Sequence, residues 1–158
     1  LLAKNADGWV ILFTRRTESV QNHKGQVAFP GGGMEPADKN LVETALREAR
    51  EEIGINLSQI EVLGKLPPFP TISNFVIYPV VALYNGQNEF VLSTDEVVNV
   101  FYIPFTGLDD PENWYESPYV LRNGKMEKVI HYKEYAGEHL WGITARIVHQ
   151  LLAELRKG

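Results

Sequence analysis

Glu48, Glu51 and Glu52 stand close together in the segment Thr44-Ala45-Leu46-Arg47-Glu48-Ala49-Arg50-Glu51-Glu52-Ile53-Gly54-Ile55. On a helix turning about 100° per residue, the three carboxylates fall within roughly one 100° sector. Like charges four residues apart cost an isolated helix about a few tenths of a kcal/mol. A divalent cation with a taste for hard oxygen ligands would compensate that cost. The same run admits a plainer reading. Glu43 precedes Arg47 by four residues, and Arg47 precedes Glu51 by four, so ion pairs along a solvated helix face would also account for it.

The residues ahead of the helix weigh against a purely solvated face. Pro30-Gly31-Gly32-Gly33 places three glycines in the middle of the chain, where the backbone can approach a ligand or another backbone closely; an ordinary turn is the alternative. From Gly33 the spacing runs five residues, Lys39, seven residues, then Arg47-Glu48-Ala49-Arg50-Glu51-Glu52-Ile53-Gly54-Ile55. This resembles the Nudix box: glycine, five residues, Glu, seven residues, then Arg-Glu, an aliphatic, any residue, Glu-Glu, any residue, Gly and an aliphatic. One glutamate of that pattern is replaced by Lys39.

The resemblance implies a Nudix fold, an α/β/α sandwich around a central mixed β-sheet, and hydrolysis of a nucleoside diphosphate derivative by attack of water at phosphorus. A diphosphate is a polyanion, so bound magnesium or manganese is implied, to neutralise charge and to help acidify and position the water. Glu48, Glu51 and Glu52 would be the metal ligands, with Glu48 or a neighbour also polarising the water. Arg47 completes the catalytic set by pairing with a box carboxylate and orienting it, as groups behind metal ligands do; stabilising transition-state charge is its alternative role.

Upstream, Leu12-Phe13-Thr14-Arg15-Arg16-Thr17-Glu18-Ser19-Val20-Gln21-Asn22-His23-Lys24-Gly25-Gln26-Val27-Ala28-Phe29-Pro30-Gly31-Gly32 is similar to an additional motif of the coenzyme A diphosphatases. Leu12, Thr14, Arg16, Gly25 and Phe29 to Gly32 match it in register, whereas Phe13, Thr17 and Gln21 do not. Gln21 replaces an arginine able to grip a phosphate with two parallel hydrogen bonds, and contributes no charge. By this resemblance the favoured substrate is coenzyme A or acyl-coenzyme A, split into 3′,5′-ADP and (acyl-)4′-phosphopantetheine. The alternatives are another nucleoside diphosphate such as NADH or ADP-ribose, or a nucleotide sensor without turnover. Retention of Glu51-Glu52 argues against the sensor. Arg16, His23, Lys24 and the backbone of Gly31, Gly32 and Gly33 are the candidate substrate-binding groups. Glu35 and Asp38 occupy acidic positions of the glycine loop. Glu96 is read as structural or as a distal catalytic carboxylate, and Trp114, Tyr115 and Tyr119 as a base-stacking or packing surface. His131, His139 and His149 show no metal-ligand spacing.

Elements must position these groups. Trp9 to Thr14 reads as a buried strand after the turn signal Asp7-Gly8, and Val27 to Phe29 as a short apolar patch. From about Asn40 to Ile53, apolar residues recur at helical spacing, with Gly54 placed to terminate the helix. Ile60 to Leu66, Phe75 to Tyr84 and Val98 to Ile103 read as strands, with Pro79 predicting a bulge or irregular start in the second. Asn123-Gly124 within Tyr119 to Tyr132 predicts a type I′ hairpin. Leu140, Ile143, Ile147, Leu151 and Leu155 predict a closing amphipathic helix over Glu138 to Leu155.

At 158 residues one Nudix domain over 1–158 is expected, large enough to bury roughly 68 to 70% of its unfolded surface. The absence of cysteine excludes disulfides and cysteine-ligated metal sites and agrees with a reducing, cytoplasmic setting. A net charge of −5 argues against a general nucleic-acid or anionic-membrane binder, and no apolar run approaches the roughly 18 residues of a membrane span. A small-molecule partner and a monomer or homodimer are expected.

Overall fold

A computed structural model describes residues 1–6, 8–18, 25–71, 74–87, 89–121 and 123–157. Strand β2 (Gly8–Arg16) organises the architecture, because its side chains are buried on both faces. Val10 and Leu12 pack with Ala49, Ile53, Ile55 and Tyr84, while Ile11 and Phe13 pack with Leu108, Tyr132, Ala145, Val148 and Leu152. Alternate residues of a strand point to opposite faces, so an unbroken apolar run belongs to a sheet covered on both sides. Helix α1 (Leu41–Ile53) covers one face and helix α3 (Gly142–Leu155) the other. The expected α/β/α sandwich is what forms.

One edge of β2 pairs antiparallel with β8 (Val97–Pro104). Its other edge pairs antiparallel with β1 (Leu2–Asn5) near one end and with β3 (Val27–Ala28) near the other. β1 continues in parallel to β7 (Val80–Tyr84), which pairs antiparallel with β4 (Ile60–Lys65), so the sheet is mixed. Two small antiparallel pairs stand apart: β5 (Phe69–Pro70) with β6 (Val76–Ile77), and β9 (Trp114–Val120) with β10 (Met126–Tyr132). A five-residue helix, α2 (Phe105–Asp109), follows β8.

Three expectations are corrected. The stretch Phe75 to Tyr84 is two strands, because proline supplies no N–H for a ladder and β7 starts only after Pro79. The closing helix begins at Gly142 rather than Glu138, since Trp141 forms a bridge to His131 and keeps extended backbone. The β9–β10 turn is not type I′. The Leu121 N–H donates to Lys125 O at 2.8 Å and the Gly124 N–H to Leu121 O at 2.9 Å, so the connection spans three residues. Among the described residues there only Gly124 takes positive φ, at 80°, while Asn123 uses its side chain to accept the Lys125 N–H at 3.0 Å.

Candidate active site

Helix α1 starts and stops on local signals. The Asn40 side chain accepts the N–H groups of Val42 and Glu43 at 2.9 and 3.1 Å, and Gly54 ends the helix in the left-handed region at φ 67° with its N–H on Arg50 O. This phase sends Ala49 and Ile53 into the core. Thr44, Glu48 and Glu52 are then stacked four residues apart on the row beside them, facing the glycine loop.

Each member of that row meets a partner. Thr44 donates from its hydroxyl to Asp38 Oδ2 at 3.0 Å. Glu48 lies against Gly32 so closely that a Cβ on that glycine would stand 2.6 Å from the carboxylate carbon. Glu52, only 2% exposed, accepts the Gly31 N–H on Oε2 at 3.2 Å and faces Arg16 Nη1 across 3.4 Å from Oε1. Arg16 ends β2, where the register with β8 shifts between Arg15 and Arg16, and is itself 21% exposed at its side chain. The upstream segment and the acidic helix therefore meet at one carboxylate.

Arg47 stands behind the row as a hub. Its Nε and Nη2 donate to the two oxygens of Asp38 at 3.0 and 3.1 Å, Nη2 also to Gly33 O at 2.9 Å, and Nη1 to Glu48 and Glu51 at 3.1 and 2.9 Å. The expected pairing of Arg47 with box carboxylates is present. Its fullest contact is the two-oxygen grip on Asp38, which the sequence marks only as an acidic position of the glycine loop. Glu51 is the outlying glutamate, its side chain 52% exposed and held by Arg47. Lys39, at the position where the box carries glutamate, pairs with Glu43: its N–H donates at 2.9 Å and its ammonium lies 3.7 Å away.

The electrostatics divide the carboxylates. Hydrogen bonds from Arg47, from the Glu35 N–H and from the Thr44 hydroxyl hold Asp38 down at about 2, despite partial burial. Burial pushes Glu52 up to about 7, against the Gly31 N–H and Arg16, with the nearby charges of Glu96 and Glu48 pushing the same way as burial. Glu48 is also raised, chiefly by burial and secondarily by Glu51 and Glu96, with Arg47 opposing. Glu96 is thus within electrostatic reach of both. Its backbone has a structural part as well, since its carbonyl accepts the Thr17 N–H at 2.9 Å.

Among the described residues, no three His, Cys, Asp or Glu side chains converge as a ready metal-ligand set. The chemistry of the row nevertheless suits a hard dication: Glu48 and Glu52 are withdrawn from water, neighbouring carboxylate charge raises the pKa of each, and they offer only oxygen donors. A bound dication would offset that repulsion. Gly32 leaves the space at Glu48 that any side chain would fill.

Of the other candidates, His23 and Lys24, like Gln21, lie outside the described residues. Trp114 packs edge-on against His149, with ring centres 4.4 Å apart, and belongs to the α3 side of the core. Tyr115 stacks on His131 at 5.1 Å on the outer face of the hairpin, and Tyr119 is exposed. No helix among the described residues is long and apolar enough to cross a membrane.

Comparison with known proteins bears on the fold and the family. Residues 1–123 match the NUDIX domain family. The chain is 37% identical over 145 residues to an uncharacterized Nudix hydrolase NudL of Pectobacterium atrosepticum, covering 92% of this chain and 74% of that one. It is 35% identical over 146 residues to the protein of that name in Photorhabdus laumondii, covering 92% and 77%. In three dimensions it is similar to a Caenorhabditis elegans Ap4A hydrolase, with a TM-score of 0.64 at 16% identity over 99% of this chain and 95% of that one. It is likewise similar to the NUDIX domain of Shewanella oneidensis NrtR in complex with ADP ribose, with a TM-score of 0.58 at 17% identity over 98% and 82%. At these identities the two structures speak for the fold, while the sequence matches and the box on α1 establish that the chain belongs to the Nudix hydrolase family.

Proposed function

We propose that this Nudix hydrolase cleaves the diphosphate of coenzyme A or acyl-coenzyme A, giving 3′,5′-ADP and 4′-phosphopantetheine or its acylated form. The observation that carries the reading is the meeting of Arg16 with Glu52, which joins the segment resembling the coenzyme A motif to the acidic helix. Glu48, Glu51 and Glu52 would hold magnesium or manganese, the hydrolases of this family generally using divalent cations. Bound there, the cation supplies charge neutralisation to the diphosphate and lowers the pKa of an attacking water.

The chain's own residues do the rest. Arg47, fixed on Asp38 and Gly33 O, holds Glu48 and Glu51 and so limits the directions in which their oxygens can turn. Glu48 accepts a proton from the water, its basicity raised by burial. The backbone of Gly31, Gly32 and Gly33 brings N–H groups close to phosphate oxygens, Arg16 and Lys24 add positive charge, and His23 offers a further hydrogen-bonding group.

Gln21 favours a second reading, in which the substrate is another nucleoside diphosphate such as NADH or ADP-ribose, because no arginine at that position awaits a further phosphate. A panel of coenzyme A, its 3′-dephosphorylated form, NADH and ADP-ribose, assayed with magnesium and with manganese, decides between them. Preference for coenzyme A over the dephosphorylated form is expected. Preference for NADH or ADP-ribose selects the second reading, and folded protein that cleaves none of the four overturns both.

A further inference from the structure

Glu52 is satisfied by a positive side chain and a backbone N–H from the glycine loop, which is the donor set an anion site would use. Neither contact is tight. The Arg16 Nη1 to Oε1 distance of 3.4 Å and the Gly31 N to Oε2 distance of 3.2 Å exceed the roughly 2.7–2.9 Å of a strong charge-assisted bond. Arg16 approaches with one nitrogen only, and its Nε is buried without a hydrogen-bond partner among the described residues. A guanidinium used through one corner, with a second donor idle in the interior, is not in the two-pronged geometry that a tetrahedral phosphoryl group would engage. Its backbone is fixed, the Arg16 N–H donating to Gln26 O at 3.0 Å, so a change in the aim of the guanidinium would not require the strand to move.

We propose that Glu52 acts as a stand-in for the substrate: without a cation its carboxylate occupies the donors Arg16 and Gly31 N–H, which pass to a phosphoryl oxygen once a divalent cation engages Glu52. The inference rests on the diphosphatase reading and deepens it. The two anions compete for one set of donors, so Glu52 blocks diphosphate binding until its charge is taken up elsewhere. Cation and diphosphate then bind with positive coupling, and that coupling is reciprocal. Arg16 becomes a positioning group for substrate whose availability is controlled by the acidic helix. Premature binding of a diphosphate to a site lacking its cation is thereby disfavoured.

The test is calorimetric titration with methylenediphosphonate, a diphosphate that cannot be hydrolysed. In the presence of EDTA, Glu52→Gln should bind it about tenfold more tightly than wild type, since the neutral amide no longer competes for Arg16. The double variant Arg16→Gln/Glu52→Gln should lose that gain. If Glu52→Gln does not fold, as judged by its melting curve, Arg16→Gln alone carries the question: under saturating magnesium its diphosphonate affinity should fall about tenfold while its magnesium affinity does not fall. No gain in Glu52→Gln, a gain that survives in the double variant, or magnesium affinity lost along with diphosphonate affinity in Arg16→Gln overturns the proposal. Failure of the wild type to hydrolyse any diphosphate would instead remove the underlying reading, and the two failures are read in separate assays.

Discussion

Arg47 grips Asp38 by both carboxylate oxygens, Nε to Oδ1 at 3.0 Å and Nη2 to Oδ2 at 3.1 Å, and this fork fixes the direction in which its remaining nitrogen holds Glu48 and Glu51. Lysine keeps the charge but cannot reproduce the fork. Arg47→Lys is expected to lower kcat by about 10- to 100-fold, the usual cost of losing a group that orients metal ligands. Asp38→Asn should fall in the same range, because Asp38, held at about 2, is fully charged at any working pH. Steady-state kinetics beside magnesium titrations check both. Activity within a factor of two of wild type in Arg47→Lys would contradict the hub.

Gly32 and Gly33 make an internally controlled pair. A Cβ at Gly32 meets the Glu48 carboxylate, 2.6 Å from its carbon, whereas a Cβ at Gly33 meets nothing within 4 Å, and neither glycine has positive φ. Gly32→Ala should displace Glu48 and reduce kcat about 100-fold, the scale of an ångström-sized misplacement in an active site. Gly33→Ala should stay near wild type. Equal losses in the two variants would show that loop flexibility, not the space at Glu48, is what glycine provides.

Glu52 links activity and stability to pH in opposite directions. Its pKa is raised from 4.5 to about 7 in the folded chain, so between these values the folded state holds a proton that the unfolded state has released. Stability of the cation-free protein should therefore fall as pH rises from 4.5 through 7, by on the order of 3 kcal/mol in total. If Glu52 holds the cation as proposed, the ionised form is needed for it, and at subsaturating magnesium activity should rise as pH increases toward 7. Thermal melts in EDTA at pH 6 and 8 measure the first effect, which Glu52→Gln should abolish by being the more stable protein at pH 8. An unchanged pH dependence in Glu52→Gln would assign it to another group.

His149 produces a second pH effect of opposite sign. Its ring lies edge-on to Trp114 and Tyr132, its Nε2 is buried without a partner among the described residues, and burial lowers its pKa below 6.5. The unfolded chain takes up the proton first, so this contribution to stability is intact above pH 6.5 and is lost as pH falls below it. In a Glu52→Gln background, where the rise on acidification is removed, the melting temperature should drop below pH 6.5. His149→Phe should flatten that drop.

Much of this arrangement was legible in the sequence because it depends on local signals. Gly54 announced the end of α1, and the unbroken apolar run Val10 to Phe13 announced a strand covered on both faces. What escaped depends on pairing across the fold. β1 is four residues long, half of them polar and exposed, and exists because β2 and β7 offer it two edges. Asp38 becomes the anchor of Arg47 only because the glycine loop folds back along α1, a nine-residue separation with no helical period to reveal it. The dipeptide Asn123-Gly124 correctly marked a hairpin but not its type, since Asn123 turned its side chain onto Lys125 N–H instead of adopting positive φ.

The segment between Thr17 and Gln26 is tied off at its base: the Gly25 N–H reaches Thr17 O at 3.3 Å, the Arg16 N–H reaches Gln26 O, and Thr17 is in turn fastened to Glu96 O. An insert closed at its neck can be exchanged or lengthened without disturbing the frame that carries it, since extending an already closed loop adds little entropy. In evolutionary terms the chain has the form of a cartridge and a holder. Under the reading proposed above, substitutions between those ties, Gln21 included, would change which substrate is preferred while leaving the carboxylate row on α1 in place.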